Sequence, residues 1–387
     1  MTTYHKCRKI VPGSSFGYWI DYLASKKRGP RADEMTPVKG YCLTLLGSAI
    51  AALAIVGNAS AATCSKAKQI EALSAANTAL VVDCDLTLQP DDVIARQLVF
   101  EGKASSDTTL DCHGGKISVS TGDAIVIRSR GANWQAMAVD RPTGITIRNC
   151  RLDGGIRIFG LGINGQAEYL RQSSLSSGHT QRAQTAAPTG IRLERLTFTP
   201  RGRIPLYIAP GVTEVSIVSS IFTGALGAPA IYLDAESARN TIRDNVFNMV
   251  GARREVIAVD GSADNTFVGN VFHRLDSGGI FFYRNCGEGG TVRHQAPTGN
   301  IISGNTFTPT IPPAAPAIWL GSRGDSLFWR LATGCDLNLR HLFGVAKDGD
   351  HADHNIVVEN NFAGIGPRDA IRDNGVGNYL EGNHIRD

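Results

Sequence analysis

Two aspartates stand at the same position of two similar segments, and they are the clearest chemical signal in this 387-residue sequence. The segments read IYLD at 231–234 and IAVD at 257–260, so Asp234 and Asp260 each close a short strand pattern. Neighbouring strands lie about 4.8 Å apart, which places the two carboxylates roughly 5 Å from each other. Like charges at that distance repel unless a cation, a proton or a substrate uses them. The pair predicts a catalytic acid and nucleophile, or a calcium site for an acidic sugar, with two hydrated surface aspartates as the alternative.

A segment rich in proton-transfer and anion-binding side chains follows the third copy of the pattern. It reads IFFYRNCGEGGTVRH, residues 280–294, and contains Tyr283, Arg284, Glu288, Arg293 and His294. A lyase or epimerase that acts on a uronic acid must neutralise a carboxylate and move the neighbouring proton, and Arg, Tyr and His suit these tasks. The catalytic candidates are therefore Asp234, Asp260, Tyr283 and Arg284. The substrate-binding candidates in this segment are Glu288 and His294, and a structural role is the alternative for each.

Aromatic residues accompany the aspartates. In five copies of the strand pattern the first and third residues are apolar, so the second and fourth should point outward. The second position holds Tyr207, Tyr232, Ala258, Phe281 and Trp319. Flat aromatic rings offer the apolar surface that sugar rings pack against, although aromatic residues also stabilise exposed sheets. Tyr207, Tyr232, Phe281 and Trp319 are therefore candidate substrate-binding residues on an open outer face.

A repeat positions these residues. It reads NTIRDNVF, NTFVGNVF, NIISGNTF, NIVVENNF and NYLEGNHI at 240–247, 265–272, 300–307, 355–362 and 378–385. The base period is about 24 residues, which is typical of a solenoid. Apolar residues alternate within each copy and turn residues bound it, so the units are strands rather than helices. The recurring Asn suits left-handed turns and can hydrogen-bond from coil to coil.

The repeat resembles the right-handed parallel β-helix superfamily, the architecture of pectate-lyase-like proteins, from about Thr108 to Asp387. The resemblance implies an all-β, right-handed parallel β-helix solenoid. The Ala, Leu, Lys and Glu content of Ser65–Ala79 predicts a short N-terminal capping helix. Many members bind or process polysaccharides, so a polysaccharide partner is implied. The sequence has neither the Asp-Pro-His signature of a mannuronan epimerase nor the Asn-Thr-Asp and Gly-His-Gly pattern of a polygalacturonase.

The N-terminal region predicts export. Lys39, an apolar run from Leu43 to Val56 and the small residues Ala59-Ser60-Ala61 form the three parts of a secretory signal, with an uncleaved anchor as the alternative. The predicted division of the chain is 1–34 as a basic extension or mis-called start, 35–61 as signal peptide, 62–105 as N-terminal cap and 106–387 as parallel β-helix repeats. The expected location is periplasmic or secreted, without a membrane partner after cleavage.

Charge gives no reason to expect a nucleic-acid partner. Residues 1–61 hold eight Lys and Arg and three Asp and Glu, so the remainder carries 31 basic and 32 acidic residues. A protein so close to neutral has no general attraction for nucleic acid or acidic lipid.

Six cysteines follow the predicted signal, and an even number in an exported chain favours disulfides. Cys286 and Cys335 both lie in insertions that follow the same strand column, so a bridge between them should tie the walls of a cleft. The simplest remaining pairs are Cys64–Cys84 and Cys112–Cys150.

The function predicted from these features is an exported protein that binds and cleaves or modifies a polysaccharide. Lyase or epimerase chemistry and glycoside hydrolysis stay open, and a non-catalytic glycan-binding or envelope structural β-helix is the alternative. No cofactor is implied beyond possible calcium at Asp234 and Asp260. No GxSxG, phosphate loop, dinucleotide fingerprint or zinc helix occurs. The segment RQSSLSSGHTQRAQTAAPTG, 171–190, predicts a polar surface loop.

Overall fold

Short apolar strands separated by Gly, Asn and Asp turns stack in register and build a solenoid. The computed structural model describes residues 61–76, 78–135, 139–199, 203–225, 227–323, 335 and 351–386, which all belong to one unit, Gly57–Asp387. Each coil crosses three faces, and strands pair in parallel with their counterparts in neighbouring coils. The fold is a right-handed parallel β-helix, which confirms the fold class predicted from the sequence. The predicted extension and signal segment, 1–61, lie outside the described residues apart from Ala61.

The strands of the described residues fall into three faces. Face 1, which carries the candidate site, consists of Leu80–Val81, Leu98–Glu101, the second parts of Lys116–Arg128 and Arg151–Phe159, Leu206–Ile208, Ile231–Leu233, Ile257–Asp260, Ile280–Tyr283, Ile318–Leu320 and Ile371–Asp373. Face 2 consists of Leu86–Thr87, Thr109–Asp111, Thr146–Arg148, Arg192–Glu194, Ser216–Val218, Thr241–Arg243, Thr266–Val268, Ile301–Ser303, Ile356–Val358 and Tyr379–Glu381. Face 3 consists of Val93–Ile94, the first parts of Lys116–Arg128 and Arg151–Phe159, Thr197–Phe198, Ile221–Ala225, Val246–Val250, Val271–Leu275, Thr306–Pro309, Asn361–Ala363 and His384–Arg386.

Short helices flank the coils in the described part of the chain. They are α1 Lys66–Leu73, α2 Glu168–Ser174, α3 His179–Ala186 and α4 Pro367–Ala370, with 3-10 turns at Lys103–Ser105 and Glu288–Gly290. Helix α1 begins after Ser65, whose hydroxyl accepts a hydrogen bond from the Lys68 amide at 3.3 Å. Its Ala72 packs into the main core, which confirms the predicted capping helix. Among the described residues, none of the helices combines the length and the apolar character that crossing a bilayer requires.

Stacked side chains fill the interior. Ile231, Ile257 and Ile280 occupy one column on adjacent strands and are fully buried, as the sequence pattern predicts. Face 3 adds a column of six phenylalanines: Phe198, Phe222, Phe247, Phe272, Phe307 and Phe362. Successive rings of this column are parallel, with centroids 4.4–5.3 Å apart. The apolar burial that these columns provide fixes the register, because a one-residue slip would turn every side chain outward.

The repeated asparagines form two buried ladders at the turns before and after face 2. In the second ladder the side-chain oxygen of Asn270 accepts hydrogen bonds from the main-chain and side-chain amides of Asn245, at 3.1 and 3.0 Å. Its amide donates to the Ile242 carbonyl at 2.8 Å and to the Asn305 side-chain oxygen at 2.9 Å. The residue before Asn270 or Asn245 has positive φ, so the sharp turn leaves polar groups that the ladder satisfies.

Replacing Asn270 with alanine should lower the free energy of unfolding by about 2–4 kcal/mol, because buried partners on two neighbouring coils lose their hydrogen bonds. Urea unfolding of the wild type and the variant measures this. Asn248 lies exposed on face 3, and Asn248→Ala is the matched control with a change within about 0.5 kcal/mol. Equal effects of the two substitutions would contradict a role for the ladder.

The disulfides are those predicted from the sequence. Cys64–Cys84 closes the first coil, Cys112–Cys150 joins two coils, and Cys286–Cys335 links the two insertions. Of this last pair, Cys286 also accepts a hydrogen bond from the main-chain amide of Arg293 at 3.3 Å. The bridge therefore anchors the segment that carries Arg293 beside face 1.

Candidate functional site

Face 1 carries a column of outward side chains, which we call the outer ladder. Its members are Tyr207, Tyr232, Ala258, Phe281 and Trp319, and each pairs in register with the next. The predicted register is confirmed, but the prediction of an open outer face is wrong at three of the five positions. Tyr207, Ala258 and Phe281 are buried, while Tyr232 and Trp319 are half-buried. Segments inserted between coils account for this burial.

The first covering segment is the stretch that the sequence pattern predicts as a polar loop at 171–190. That prediction is wrong, because most of the stretch belongs to α2 and α3. Leu170, Ala183 and Ala186 form a small apolar cluster under the helices with Leu161. Only these few apolar residues face inward, so a composition dominated by Ser, Gln and Arg hides the helical pattern.

The second covering segment is 284–296, and it places an arginine between the two aspartates. Nη1 of Arg293 lies 2.8 Å from Oδ1 of Asp234 and 2.8 Å from Oδ2 of Asp260. These three side chains are at most 2% exposed. The guanidinium supplies the positive charge that two buried carboxylates require. We call Asp234, Asp260 and Arg293 the charge cluster.

Hydrogen bonds occupy the other sides of both carboxylates. The donors to Asp234 are the Tyr207 hydroxyl and the main-chain amides of Gly165 and Ala235, the two amides at 2.8 Å. The donors to Asp260 are the Tyr232 hydroxyl at 2.6 Å and the main-chain and side-chain amides of Asn285 at 2.9 and 2.8 Å. Gly165 precedes α2, so the helical insertion contributes directly to the cluster.

The geometry limits what the two aspartates can do. A guanidinium lies between them, at the place where the sequence analysis puts a calcium ion. Neither carboxylate is exposed, whereas the carboxyl groups of a retaining glycosidase flank the bond that is cleaved. The catalytic role of Asp234 and Asp260 stays a prediction.

Burial also sets the protonation of the phenols. The pKa of Tyr207 and the pKa of Tyr232 are raised well above the ordinary value, first by burial and then by the carboxylates they face. Burial likewise raises the pKa of Asp260, with Asp234 acting in the same direction and Arg293 opposing. Both phenols are therefore neutral hydrogen-bond donors to the cluster.

Tyr283 follows Asp260 in register but belongs to a different set of contacts. Its hydroxyl donates to Glu255 at 2.8 Å and accepts from Arg254 at 2.7 Å, and the residue is fully buried. Arg323 lies over the Tyr283 ring, 4.1 Å from its centroid. Arg254 is half-buried and Arg323 is exposed, so these two guanidinium groups are the parts of this set that reach solvent.

The remaining predicted residues of the segment lie around Arg293. Arg284 is 7% exposed, and one of its nitrogens lies 3.4 Å from the Arg293 carbonyl. Glu288 is exposed, with an oxygen 3.5 Å from Nη2 of Arg293. The ring of His294 contacts the Ser174 carbonyl at 2.8 Å and thereby joins the segment to α2. The structure thus brings Glu288 near the charge cluster, while His294 contributes to docking the helices.

Three arginines stack on rings along face 1. Arg157 lies 4.3 Å from the Tyr207 centroid, and Arg372 lies 4.5 Å from the Trp319 centroid. The third is Arg323 over Tyr283. Arg323 and Arg372 are exposed, whereas the carboxylates of the charge cluster are enclosed. The accessible chemistry of this face is therefore aromatic surface and guanidinium.

A buried histidine secures the helical insertion. His179 is 1% exposed; its Nδ1 lies 3.0 Å from the Ser173 hydroxyl, and its Nε2 lies 4.0 Å from Glu236. The ring of His294 packs edge-on at 5.2 Å, and the guanidinium of Arg182 lies nearby. Burial, followed by the charges of His294 and Arg182, lowers the pKa of His179 to about 3.

Stability should therefore fall in acid. Below pH 6.5 the unfolded chain protonates this histidine, while the folded protein keeps it neutral down to about pH 3. His179 should remove about 1.4 kcal/mol of unfolding free energy for each pH unit below its ordinary pKa. Denaturant unfolding between pH 7 and 5 measures how steeply the unfolding free energy falls with pH. His179→Gln should make that slope smaller by about 1.4 kcal/mol per pH unit, the contribution of one proton. A variant with the wild-type slope would show that His179 protonates in the folded state.

No group of three or more His, Cys, Asp or Glu side chains suited to a metal ion occurs within the described residues. Sequence reasoning missed Arg293 as the bridge, as well as Glu255, Arg254, Glu236 and His179. Glu255 precedes the IAVD strand and Glu236 follows Asp234 by two residues, so their positions in the repeat were the available signal. The contact of Arg293 with both aspartates depends on a loop path that no local pattern specifies.

No family model matches the sequence, and no curated protein matches it. Solved structures match over most of the chain. The A-module of a mannuronan C-5 epimerase from Azotobacter vinelandii is 11% identical, with a TM-score of 0.33, covering 82% of this chain and 93% of that one. The DFA-IIIase of Arthrobacter chlorophenolicus A6 is 14% identical, with a TM-score of 0.35, covering 83% and 81%.

The surface protein and adhesin PfbA of Streptococcus pneumoniae is 11% identical, with a TM-score of 0.35, covering 82% of this chain and 93% of that one. Identities and TM-scores of this size carry no argument about activity. What can be stated of this chain is its architecture, a right-handed parallel β-helix.

Proposed function

We propose that this chain is an exported carbohydrate-binding protein that takes an acidic polysaccharide along face 1. The observation that carries the proposal is the row of guanidinium groups stacked on aromatic rings: Arg157 on Tyr207, Arg323 on Tyr283 and Arg372 on Trp319. A guanidinium stacked on a ring can present N–H groups at its edge to a carboxylate or sulfate. Arg372, which is exposed, can do so directly, whereas Arg157 already donates to Asp123 at 3.1 Å and Arg323 to the Asn285 side-chain oxygen at 2.6 Å. Three disulfides support export, because such bridges persist outside the cytosol.

The accessible part of this surface lies at its C-terminal end. Trp319 is half-buried and packs edge-on against Phe281, with ring centroids 5.4 Å apart. Arg372 covers the ring and is exposed to solvent. The apolar face of a sugar can pack beside Trp319 while an acidic substituent meets the guanidinium of Arg372. Successive coils repeat at the strand spacing, which suits a linear polymer better than a single sugar.

A second candidate function is lyase or epimerase chemistry on the same polymer, and the Tyr232–Asp260 pair favours it. Tyr232 is half-buried, and its hydroxyl donates to Oδ2 of Asp260 at 2.6 Å. A neutral phenol beside a carboxylate can pass a proton between substrate and protein. Hydrolysis by two aspartates has no comparable support, because both carboxylates are enclosed around Arg293.

Binding to polygalacturonate and alginate, compared with dextran, tests the proposed function. Trp319→Ala and Arg372→Ala should each weaken binding of an acidic polymer about tenfold, which corresponds to about 1.4 kcal/mol. Arg239→Ala is the matched control, because Arg239 is exposed and its nearest carboxylate is Glu214 at 3.4 Å. Ultraviolet absorbance of an unsaturated product in the same mixtures detects a lyase.

The proposal fails if neither acidic polymer binds. It also fails if one binds and Arg239→Ala weakens it as much as Arg372→Ala does. Binding without new absorbance and without epimerised product would leave a binding protein and remove the second candidate function.

A further inference from the structure

We propose that a second glycan site lies on the N-terminal side of α2 and α3, and that it takes uncharged sugar units. This inference goes beyond the proposed function, because it concerns a different groove and a different ligand charge. We call the groove, formed by two recesses that meet at Asn133 and Leu161, the N-terminal groove.

The recesses are large enough for sugar rings and lie on the same face of the solenoid. The first has a volume of about 560 Å³ and is lined by Glu101, Arg128, Arg130, Phe159 and Tyr169. The second has a volume of about 210 Å³ and is lined by Trp134, Gln135, Gln181, Arg182 and Thr185. Glu101, Arg128 and Phe159 are neighbours in strand register on face 1. Helices α2 and α3 therefore form a wall between this groove and the charge cluster.

The groove presents aromatic surface whose polar tips are unused. Tyr169 on α2 is 45% exposed, and Trp134 and Phe159 are half-buried. Within the part of the chain that the structure describes, the Tyr169 hydroxyl and the Trp134 ring nitrogen have no hydrogen-bond partner. The side-chain amides of Gln135 and Gln181 are equally without one. A sugar ring has an apolar face and a rim of hydroxyls, and this combination of rings and amides matches both.

The charged side chains of the groove are paired with other groups of the protein, and this favours an uncharged ligand over an acidic one. Glu101 forms ion pairs with two arginines: its Oε2 lies 2.5 Å from Nη2 of Arg128, and its Oε1 lies 2.9 Å from Nε of Arg130. Arg182 donates to the Ser173 hydroxyl at 2.9 Å and to the carbonyls of Ser173 and Ser177 at 2.8 and 2.6 Å. No guanidinium here is presented on a ring towards solvent as in the row on face 1. An acidic sugar would gain little, whereas an uncharged sugar finds a stacking surface and free amides.

Titration calorimetry of the full chain with maltohexaose, cellohexaose, xylohexaose and mannohexaose tests the site. At least one of these uncharged oligosaccharides should bind, and Tyr169→Ala and Trp134→Ala should each weaken it at least fivefold. Tyr379→Ala is the matched control, since Tyr379 is 50% exposed on the last coil. Thermal unfolding of the Tyr169→Ala protein, whose side chain is already exposed, confirms that folding is intact.

The inference is overturned if none of the four oligosaccharides binds at millimolar concentration, or if Tyr379→Ala and Tyr169→Ala have the same effect. Binding of an acidic polymer that is weakened by Tyr169→Ala would overturn the inference that the groove takes uncharged sugars. A chain that binds an uncharged hexasaccharide but no acidic polymer keeps this inference and overturns the function proposed above. A chain that binds an acidic polymer but none of the four hexasaccharides keeps the proposed function and overturns this inference. The two failures are therefore distinguishable.

Discussion

Replacing Arg293 with methionine should lower the free energy of unfolding by about 3–5 kcal/mol, the largest single effect that the structure implies. The substitution keeps most of the side-chain volume but removes the charge that lies 2.8 Å from both Asp234 and Asp260. Two carboxylates would then remain in a site that is at most 2% exposed, and the hydrogen-bond donors described above for them, two phenols and several amides, are all neutral. Urea unfolding with circular dichroism measures the loss.

Arg239→Met is the control, because that arginine is exposed and pairs loosely with Glu214. It should change the unfolding free energy by less than about 1 kcal/mol. Adding Asp234→Asn and Asp260→Asn to Arg293→Met should restore part of the stability, since neutral amides tolerate burial better than unpaired carboxylates. A fully stable single variant would mean that water or another cation reaches the cluster.

The same geometry reverses an expectation from the sequence. Two stacked carboxylates alone repel, so replacing either by asparagine would leave stability unchanged or slightly raised. With Arg293 between them, each carboxylate is a partner of a buried cation. Asp260→Asn alone should therefore destabilise the fold, and the sign of this change separates an empty acidic pair from a neutralised one.

The repeat pattern determines most of the fold. Ile231, Ile257 and Ile280 recur at one strand position, and the asparagines recur at the turns, so both the register and the stacking follow from local sequence. Cys286–Cys335 was predictable because both cysteines lie in insertions of the same strand column. Each of these features recurs at an equivalent position in successive coils, so every copy of the repeat supports the same interpretation.

The covering segments could not be predicted in the same way. Helices α2 and α3 bury only a few small apolar residues, and their contacts with the solenoid run through polar groups such as Thr180 to Glu236 and Gln184 to the Glu236 carbonyl. A loop that occurs once has no period to reveal its path. The sequence therefore placed Asp234 and Asp260 together correctly, but it could not show that Arg293 and Gly165 enclose them.

If the chain acts as a lyase or epimerase, Tyr232→Phe should lower turnover by roughly a hundredfold or more while substrate binding changes little. The phenol is neutral because burial and Asp260 raise its pKa, so its oxygen can take a proton from the substrate while its own proton passes to the Asp260 carboxylate along the 2.6 Å hydrogen bond.

The comparison variant is Tyr283→Phe. It removes a hydroxyl two coils further along the same face, where Glu255 and Arg254 enclose it. Steady-state kinetics on whichever acidic polymer yields product compares the two variants. Loss of turnover confined to Tyr283→Phe would assign proton transfer to Tyr283, and full activity in both variants would remove this face from the chemistry. Loss confined to Tyr232→Phe, with unchanged KM, is the result expected here, because of these two tyrosines Tyr232 is the one that combines a partly open ring with a carboxylate partner.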